Sequence, residues 1–505
     1  MTTAVEDLMS SPPVTCPADA SLTEATALMD RGQIGSVVVT DGSAVVGILT
    51  ERDLLRAGAN GGDPRTEAVR SWMTADPDVL GRHDRVDEAW SGLTHHHYRH
   101  LPVLDHGDLV GVVSLRDLLP VAQIRPDHPS GADAPRGLEG LVVAETSVGD
   151  VRGQEGFFHY RQYSAVDLAS DRSLEDVWKL VFDGALPDRR SSAEFGREVA
   201  GLRDLPPGLA GLLPSLARAG SPLDALRSAV SVLGAELAWP ATLDIDHAQL
   251  RAQALRLGAV VPTILTTVHR LRNGQDPVPP RDDLSYAANY LWMLLGHEAP
   301  AEHVRAVEQY LILTIDHGFN ASTFSARVIA STGADLAAAV TGAIGALSGP
   351  LHGGAPSRAL DMLDDIAVPA DAEAWIRDAV LRGDRIMGFG HRVYKTDDPR
   401  SVFLRGVARS LGGDLVAFAE QVERTAVDVL SDLKPGRQLY SNVEFFAGVV
   451  MHTCGIPRDM FTPTFASSRT IGWAAHVMEQ VADNRLIRPA ARYVGPPPPQ
   501  PVPPV

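Results

Sequence analysis

Gly47-Ile-Leu-Thr-Glu-Arg-Asp53 returns as Gly111-Val-Val-Ser-Leu-Arg-Asp117, an offset of 111 − 47 = 64 residues, and this repetition decides how the chain divides. Outward from it, at the same offset, Met9 falls on Met73, Glu24-Ala25 on Glu88-Ala89 and Leu54-Leu55 on Leu118-Leu119. Each copy holds a helical stretch (Leu22 to Arg31; Val86 to Thr94) followed by two short apolar runs. These runs are Ser36 to Thr40 with Val45 to Leu49, and Leu101 to Leu104 with Leu109 to Val113. Asp41-Gly42 and His106-Gly107-Asp108 supply hairpin turns between them. Thr50 and Ser114 then open a second helix as N-caps, accepting from N–H groups that otherwise lack partners. Two α/β units of about 60 residues that cannot each bury both faces pack as a pair.

Beyond the repeat, residues 122–137 hold three prolines and two glycines without an apolar period, which reads as a linker. From Ser164 onward apolar residues recur at helical spacing, as in Leu174-Val177-Leu180-Val181 and Val304-Val307-Leu311. Stretches such as Ser322–Leu347 carry enough alanine and glycine for close helix packing. The body is therefore expected to be mostly α-helical and split into two lobes. The tail, residues 495–505, is proline-rich, with disorder as its default.

Composition fits a globular chain of several domains: 505 residues, 45% hydrophobic and 21% charged. A disordered scaffold and a disulfide mini-protein are excluded. The net charge, 45 − 63 = −18, argues against a nucleic-acid partner, so any anionic substrate must be held by locally placed arginines. Cys16 and Cys454 form no disulfide framework or metal quartet, which fits a reducing compartment. Residues 1–11 lack the basic and apolar regions of a signal peptide, and no apolar run reaches the ~18 residues of a membrane span. A cytoplasmic protein without membrane association is expected. His95-His96-His97-Tyr98-Arg99-His100 invites a metal reading, but no carboxylate or cysteine stands at ligand spacing. A basic helix C-terminus accounts for it, and no metal is expected.

A P-loop, a G-x-S-x-G elbow and H-E-x-x-H are missing from the sequence. The chemistry-bearing residues are histidines at glycine-marked junctions: His317 in Thr314-Ile-Asp-His-Gly-Phe-Asn320, His352 in Gly349-Pro-Leu-His-Gly-Gly354, and His391 in Gly388-Phe-Gly-His-Arg-Val-Tyr-Lys395. Glycines beside a histidine let backbone approach a ligand closely, which a core histidine does not need.

The doubled Gly47–Asp53 and Gly111–Asp117 segments resemble the signature of cystathionine-β-synthase-type (CBS) domain pairs, over about residues 4–121 (copies 4–57 and 68–121). That resemblance implies a cleft for an adenine nucleotide such as AMP or ATP. Asp53 and Asp117 would bond ribose hydroxyls, with Thr50 and Ser114 near the phosphates. Electrostatic stabilisation of a first helical turn by the two aspartates is the alternative.

Residues 138–494 resemble the citrate synthase family. Six separated motifs agree in order, among them Asp316-His-Gly-Phe-Asn-Ala-Ser-Thr323, Gly349–Gly354, Gly388 to Arg400, Tyr440-Ser-Asn-Val-Glu444 and Phe461-Thr-Pro-Thr-Phe-Ala-Ser-Ser-Arg469. The resemblance implies a predominantly all-α fold with a large lobe and a smaller one (about 356–450) that closes over it. It also implies condensation of an acyl-CoA with a 2-oxo acid, usually acetyl-CoA with oxaloacetate, without a tightly bound cofactor. Removing a thioester α-proton needs a carboxylate base and a donor to the thioester oxygen. Matching positions make Glu444 the base, His352 that donor and His391 the donor to the oxo carbonyl. The carboxylates of the oxo acid need arginines rather than lysines. Arg400, Arg469 and Arg488 match, with His317 as an added contact. Arg488 would serve the neighbouring subunit, so a homodimer or higher homo-oligomer is implied. Lys395 matches a contact to CoA phosphate.

One departure stands out. The family's base is Asp in Asn-Val-Asp, and here it is Glu444 in Asn442-Val443-Glu444. The extra methylene moves the carboxylate by roughly 1 Å, a displacement that can cost ~100-fold in rate. Two other functions stay open: 2-methylcitrate synthesis from propionyl-CoA, and a nucleotide sensor whose synthase portion has lost activity.

Overall fold

The computed structural model describes residues 4–32, 34–84, 100–114, 117, 135–138, 140–350, 352, 355–391, 393–394, 396–434, 439–491 and 494–496. The expected Val86–Thr94 helix, His95 to Arg99, most of the 122–137 linker, Lys395 and most of the 495–505 tail lie outside these residues. The chain forms two compact units, Met1–Val142 and Val143–Val505.

In the first unit, β1 (Thr15–Pro17), β2 (Ser36–Asp41), β3 (Ala44–Thr50) and β4 (Thr74–Ala75) form one sheet in that order. A second sheet runs β5 (Leu80–Gly81), β6 (His100–Asp105), β7 (Asp108–Ser114). The helices α1 (Leu22–Gly32) and α2 (Glu51–Ala59) belong to the first copy. Both expected hairpins form, and the β6–β7 turn places His106 and Gly107 at φ 49° and 95°, as a tight twisted turn requires. The two copies interlock. Ser10 bridges Val112 of the second copy, while Thr74 pairs with Ile48 of the first. Gly47 and Gly111 make room for this exchange: a Cβ on Gly47 would collide with Met73 Sδ, and one on Gly111 would lie 2.6 Å from Met9 Sδ. Each copy thus borrows the other's leading segment, the physical reason they pack as a pair.

The second unit opens with a small antiparallel sheet, order β10-β9-β8, of β8 (Gly149–Arg152), β9 (Phe157–Tyr160) and β10 (Tyr163–Ser164). Helices follow to Ala482, around one continuous hydrophobic core. Those that build the site are α3 (His247–Arg272), α4 (Ala301–Thr314), α5 (Ala321–Ser331), α6 (Leu336–Leu347), α7 (Pro399–Leu411), α8 (Val443–Thr453) and α9 (Phe461–Ala482). The stretch Ser322–Leu347 is two helices rather than one. Gly333 takes φ 82° and Asp335 caps α6 by accepting from the Ala338 N–H at 2.9 Å. The long α9 packs against α3 and α5, and Gly472 lets it lie directly on the Ile315 carbonyl. This contact presses α9 onto the Asp316–Asn320 loop between α4 and α5.

Among the described residues no helix is long and apolar enough to cross a membrane, and no cluster of three or more metal-ligating side chains occurs.

Candidate active site

The α4–α5 loop carries His317. Asn320 N-caps α5, its Oδ1 accepting from Ser322 N–H and Thr323 N–H, each at 3.1 Å. Ser322 Oγ then sits at a junction: 2.7 Å from Asn320 Oδ1, 3.1 Å from the Trp473 Nε1–H that donates to it, and 2.8 Å from His352 Nε2. The hydroxyl has one proton, which goes either to Asn320 or to His352. Given to Asn320 Oδ1, it leaves Ser322 Oγ to accept from Trp473 Nε1–H and from a proton on His352 Nε2. When the proton goes to His352 Nε2, the imidazole carries its own proton on Nδ1. Burial, with Arg469 adding to it, pushes the His352 pKa down to about 4, so this ring is neutral at working pH.

His391 is held by a strip zipped to the start of α8. Gly388 and Gly390 adopt φ 81° and 80°. Gly390 N–H donates to Tyr440 O at 2.8 Å, Asn442 N–H to Gly388 O at 2.8 Å, and Asn442 Nδ2 to Gly390 O at 3.0 Å. Asn442 also caps α8 through the Glu444 N–H at 3.1 Å. Residues 388–391 and Glu444 therefore share one scaffold. His391 Nδ1 accepts from Val393 N–H (3.0 Å) and Tyr394 N–H (3.1 Å), which places a ring proton on Nε2.

His317, His391 and Tyr394 cluster. The two imidazoles meet edge to face at 5.5 Å, and the Tyr394 hydroxyl lies 3.0 Å from His317 Nε2. Burial, followed by the charges of Arg400, His391 and Arg469, pushes the His317 pKa well below the usual imidazole range. Burial also keeps the Tyr394 phenol protonated.

Arg400 and Arg469 are buried in different ways. Arg400 is paired: Asp398 accepts from its Nε at 3.0 Å and its Nη2 at 2.8 Å. Its guanidinium lies over the Phe158 and Tyr394 rings, and Nη2 is 3.4 Å from His391 Nε2. Arg469 is 2% exposed and has no carboxylate within ion-pair distance among the described residues. Its Nε donates to Thr314 O at 2.8 Å and its guanidinium stacks 4.5 Å above Phe465. Burial pushes its pKa down to about 10, so it remains a cation. A buried cation without a counter-ion is costly, and an anionic ligand relieves that cost.

Glu444 is the second residue of α8. Burial pushes its carboxyl up to about 7, with Asp398 adding to the rise and Arg400 opposing it. Among the described residues no hydrogen bond joins this carboxylate to His352 or His391. It is a carboxylate poised near neutrality under the influence of Arg400 and Asp398, as expected of a general base.

The structure thus brings together His317, His391, Arg400 and Arg469, with His352 and Glu444 each electrostatically coupled to one of those arginines. Arg488 is exposed beyond the end of α9 and joins no such contact among the described residues. Lys395 lies outside the described residues. In the first unit, Asp53 Oδ2 accepts from Thr50 N–H (2.9 Å) and Oγ–H (2.8 Å), while Oδ1 pairs with Arg56 at 3.1 Å. Asp117 Oδ2 likewise accepts from Ser114 N–H (2.8 Å) and Oγ–H (2.7 Å). Asp53 thus completes a capping box with Thr50 at the start of α2, and Asp117 makes the same two bonds to Ser114. Sequence reasoning missed Ser322, Tyr394 and Asp398 as partners of site residues. The acceptor spacing in Asp398-Pro399-Arg400, an N-cap followed by proline, was the one available signal.

The chain resembles known proteins over most of its length. The family described as "Citrate synthase, C-terminal domain" matches residues 137–490, and the CBS domain family matches 5–60 and 69–123. The citrate synthase of Haloferax volcanii is 42% identical over 366 residues, covering 71% of this chain and 95% of that protein. The 2-methylcitrate synthase 2 of Corynebacterium glutamicum is 40% identical over 373 residues, 72% and 95% respectively. Among solved structures, citrate synthase from Thermotoga maritima superposes with a TM-score of 0.65 at 37% identity, covering 73% of this chain and 98% of that one. The Thermoplasma acidophilum enzyme, solved with carboxymethyl coenzyme A and oxaloacetate, gives a TM-score of 0.68 at 31% identity with the same coverage.

Proposed function

The chain belongs to the citrate synthase family and carries a CBS domain pair, and on that premise we propose that it condenses acetyl-CoA with oxaloacetate to citrate and CoA, Glu444 being the base. The observation that carries this reading is Arg469: a buried, charged guanidinium that forms no ion pair among the described residues and lies near His317 and Arg400. Arg469 and the N–H groups of Arg400 not committed to Asp398 clamp the oxo acid's carboxylates, with His317 contributing a further contact. His391 Nε2–H donates to the oxo carbonyl and polarises it toward attack.

Glu444 removes a proton from the acetyl methyl while His352 Nδ1–H donates to the thioester oxygen, where charge develops. Ser322 supports this by giving its proton to His352 Nε2. The resulting enol carbon bonds to the polarised carbonyl carbon of oxaloacetate, whose oxygen becomes the citrate hydroxyl. Water then cleaves the thioester and CoA leaves as the thiol. A smaller lobe, about residues 356–450, closes over the bound oxo acid and excludes water until the carbon–carbon bond has formed. Arg488, exposed in its own chain, serves the neighbouring subunit of a homodimer, and Lys395 meets a CoA phosphate.

The test is release of free thiol from acetyl-CoA that depends on oxaloacetate; its absence would favour a nucleotide sensor with an inactive synthase portion. The likeness to a 2-methylcitrate synthase keeps propionyl-CoA as a second acyl donor. One methyl group is worth only ~1–3 kcal/mol of discrimination, so relative kcat/KM for the two thioesters decides between them. The CBS pair binds an adenine nucleotide at Asp53, Asp117, Thr50 and Ser114 and regulates the synthase. For regulation the nucleotide must bind two states of the protein with different affinity. Kinetics unchanged by AMP and ATP, with and without residues 1–130, would refute it.

A further inference from the structure

We propose that His476 and Asp316 form a positioning pair that sets His317 for the oxo acid, an inference that rests on the assignment of His317 as an oxo-acid contact. The side chain of His476 is 0% exposed and that of Asp316 1% exposed, and His476 Nε2 donates to Asp316 Oδ1 at 3.1 Å. The other oxygen, Asp316 Oδ2, accepts from the Gly318 N–H at 3.1 Å. One carboxylate therefore grips the chain on both sides of His317. The Asp316 carbonyl is fixed as well, lying 3.1 Å from the Tyr160 hydroxyl.

His476 is itself oriented from behind. Its Nδ1 faces Arg327 Nη1 at 3.4 Å, as an acceptor would. Arg327 is held by Glu479 Oε2 at 2.7 Å and Gln480 Oε1 at 2.9 Å, and Glu479 Oε1 takes the Ser147 N–H at 2.6 Å. His476, Glu479 and Gln480 all belong to α9, and His476 stands seven residues, two helical turns, beyond Arg469 on the same face. The helix that supplies one clamp arginine thus also fixes the loop that supplies His317. A buried hydrogen-bonded pair adds little net stability over an apolar pair of equal volume; what it adds is direction. Here those bonds fix the register of His317 against Arg469.

The test uses the full chain with His476→Leu, His476→Gln, His317→Ala and the His476→Leu/His317→Ala double variant. His476→Leu is expected to raise the KM for oxaloacetate about tenfold or more while the KM for acetyl-CoA moves less than about twofold. Gln, which retains a donor of similar reach, returns the oxaloacetate KM to within about threefold of wild type. In the His317→Ala background His476→Leu adds less than about threefold, because the pair acts through His317. A folded His476→Leu variant with the wild-type oxaloacetate KM, beside a raised KM in His317→Ala, overturns the positioning role alone. An unchanged KM in His317→Ala overturns the assignment of His317 and the proposal with it. Should His476→Leu fail to fold, His476→Asn, polar but too short to reach Asp316, carries the same expectation.

Discussion

Asp398 and Arg400 form a fully buried bidentate pair, and the same Asp398 Oδ2 accepts the Val443 N–H at 3.0 Å, at the first turn of the helix that carries Glu444. One carboxylate therefore ties Arg400 to the helix that carries Glu444. The Arg400 charge holds the Asp398 carboxyl below its usual range despite burial. Asp398→Asn replaces one acceptor with a donor that faces either Arg400 or the Val443 N–H. Breaking one partner of a buried pair costs about 3–5 kcal/mol. The expected outcome, read by steady-state kinetics and thermal unfolding, is a lowered Tm and a kcat/KM for oxaloacetate reduced at least about 100-fold.

Arg469 supplies charge where Arg400 is already partly neutralised. Arg469→Gln removes the uncompensated cation and is expected to raise the oxaloacetate KM by about two orders of magnitude, the ~2–5 kcal/mol scale of a truncated buried charge contact. Because Arg469 forms no ion pair among the described residues, the same variant is expected to lose little Tm without ligand and most of the stabilisation that oxaloacetate gives the wild type. A thermal shift with and without oxaloacetate reads both.

Ser322→Ala removes the proton that selects the His352 tautomer. The prediction is a kcat lowered about 10- to 100-fold with the oxaloacetate KM within about threefold of wild type, since general-acid function rather than binding is lost.

The raised carboxyl of Glu444 predicts a pH profile. A base acts deprotonated, so kcat/KM for acetyl-CoA is expected to rise with pH, inflect at about 7 and level off above it. Stability follows the opposite course. A carboxyl whose folded-state pKa lies above its unfolded value favours the folded state at low pH, and that contribution is lost as pH rises through about 7. Glu444→Gln is therefore expected to raise Tm relative to wild type at pH 8 and to leave it nearly unchanged at pH 4.

Much of this was legible in the sequence, because the repeat and the six ordered motifs are local signals. The hairpins at Asp41-Gly42 and His106-Gly107, the Thr50 cap of α2 and the mostly helical body needed nothing beyond neighbours a few residues apart. The engagement of Asp53 with Thr50 and of Asp117 with Ser114 was visible as the alternative to ligand contact for the same reason. The division of Ser322–Leu347 at Gly333 was missed because alanine-rich flanks mask a single left-handed glycine. The supporting partners were illegible on other grounds: Ser322 meets Trp473 and Asp398 meets Val443 only after distant helices pack. The interlocking of the CBS copies, Ser10 with Val112 and Thr74 with Ile48, likewise exists only in three dimensions.

The identity of the base is tested most directly by the rate of oxaloacetate-dependent thiol release from acetyl-CoA in Glu444→Gln, at saturating substrate and pH 8. The predicted result is a loss of at least about 1,000-fold in kcat with the oxaloacetate KM nearly unchanged, since the amide preserves shape and removes the proton acceptor. A folded variant that turns over at the wild-type rate would contradict it.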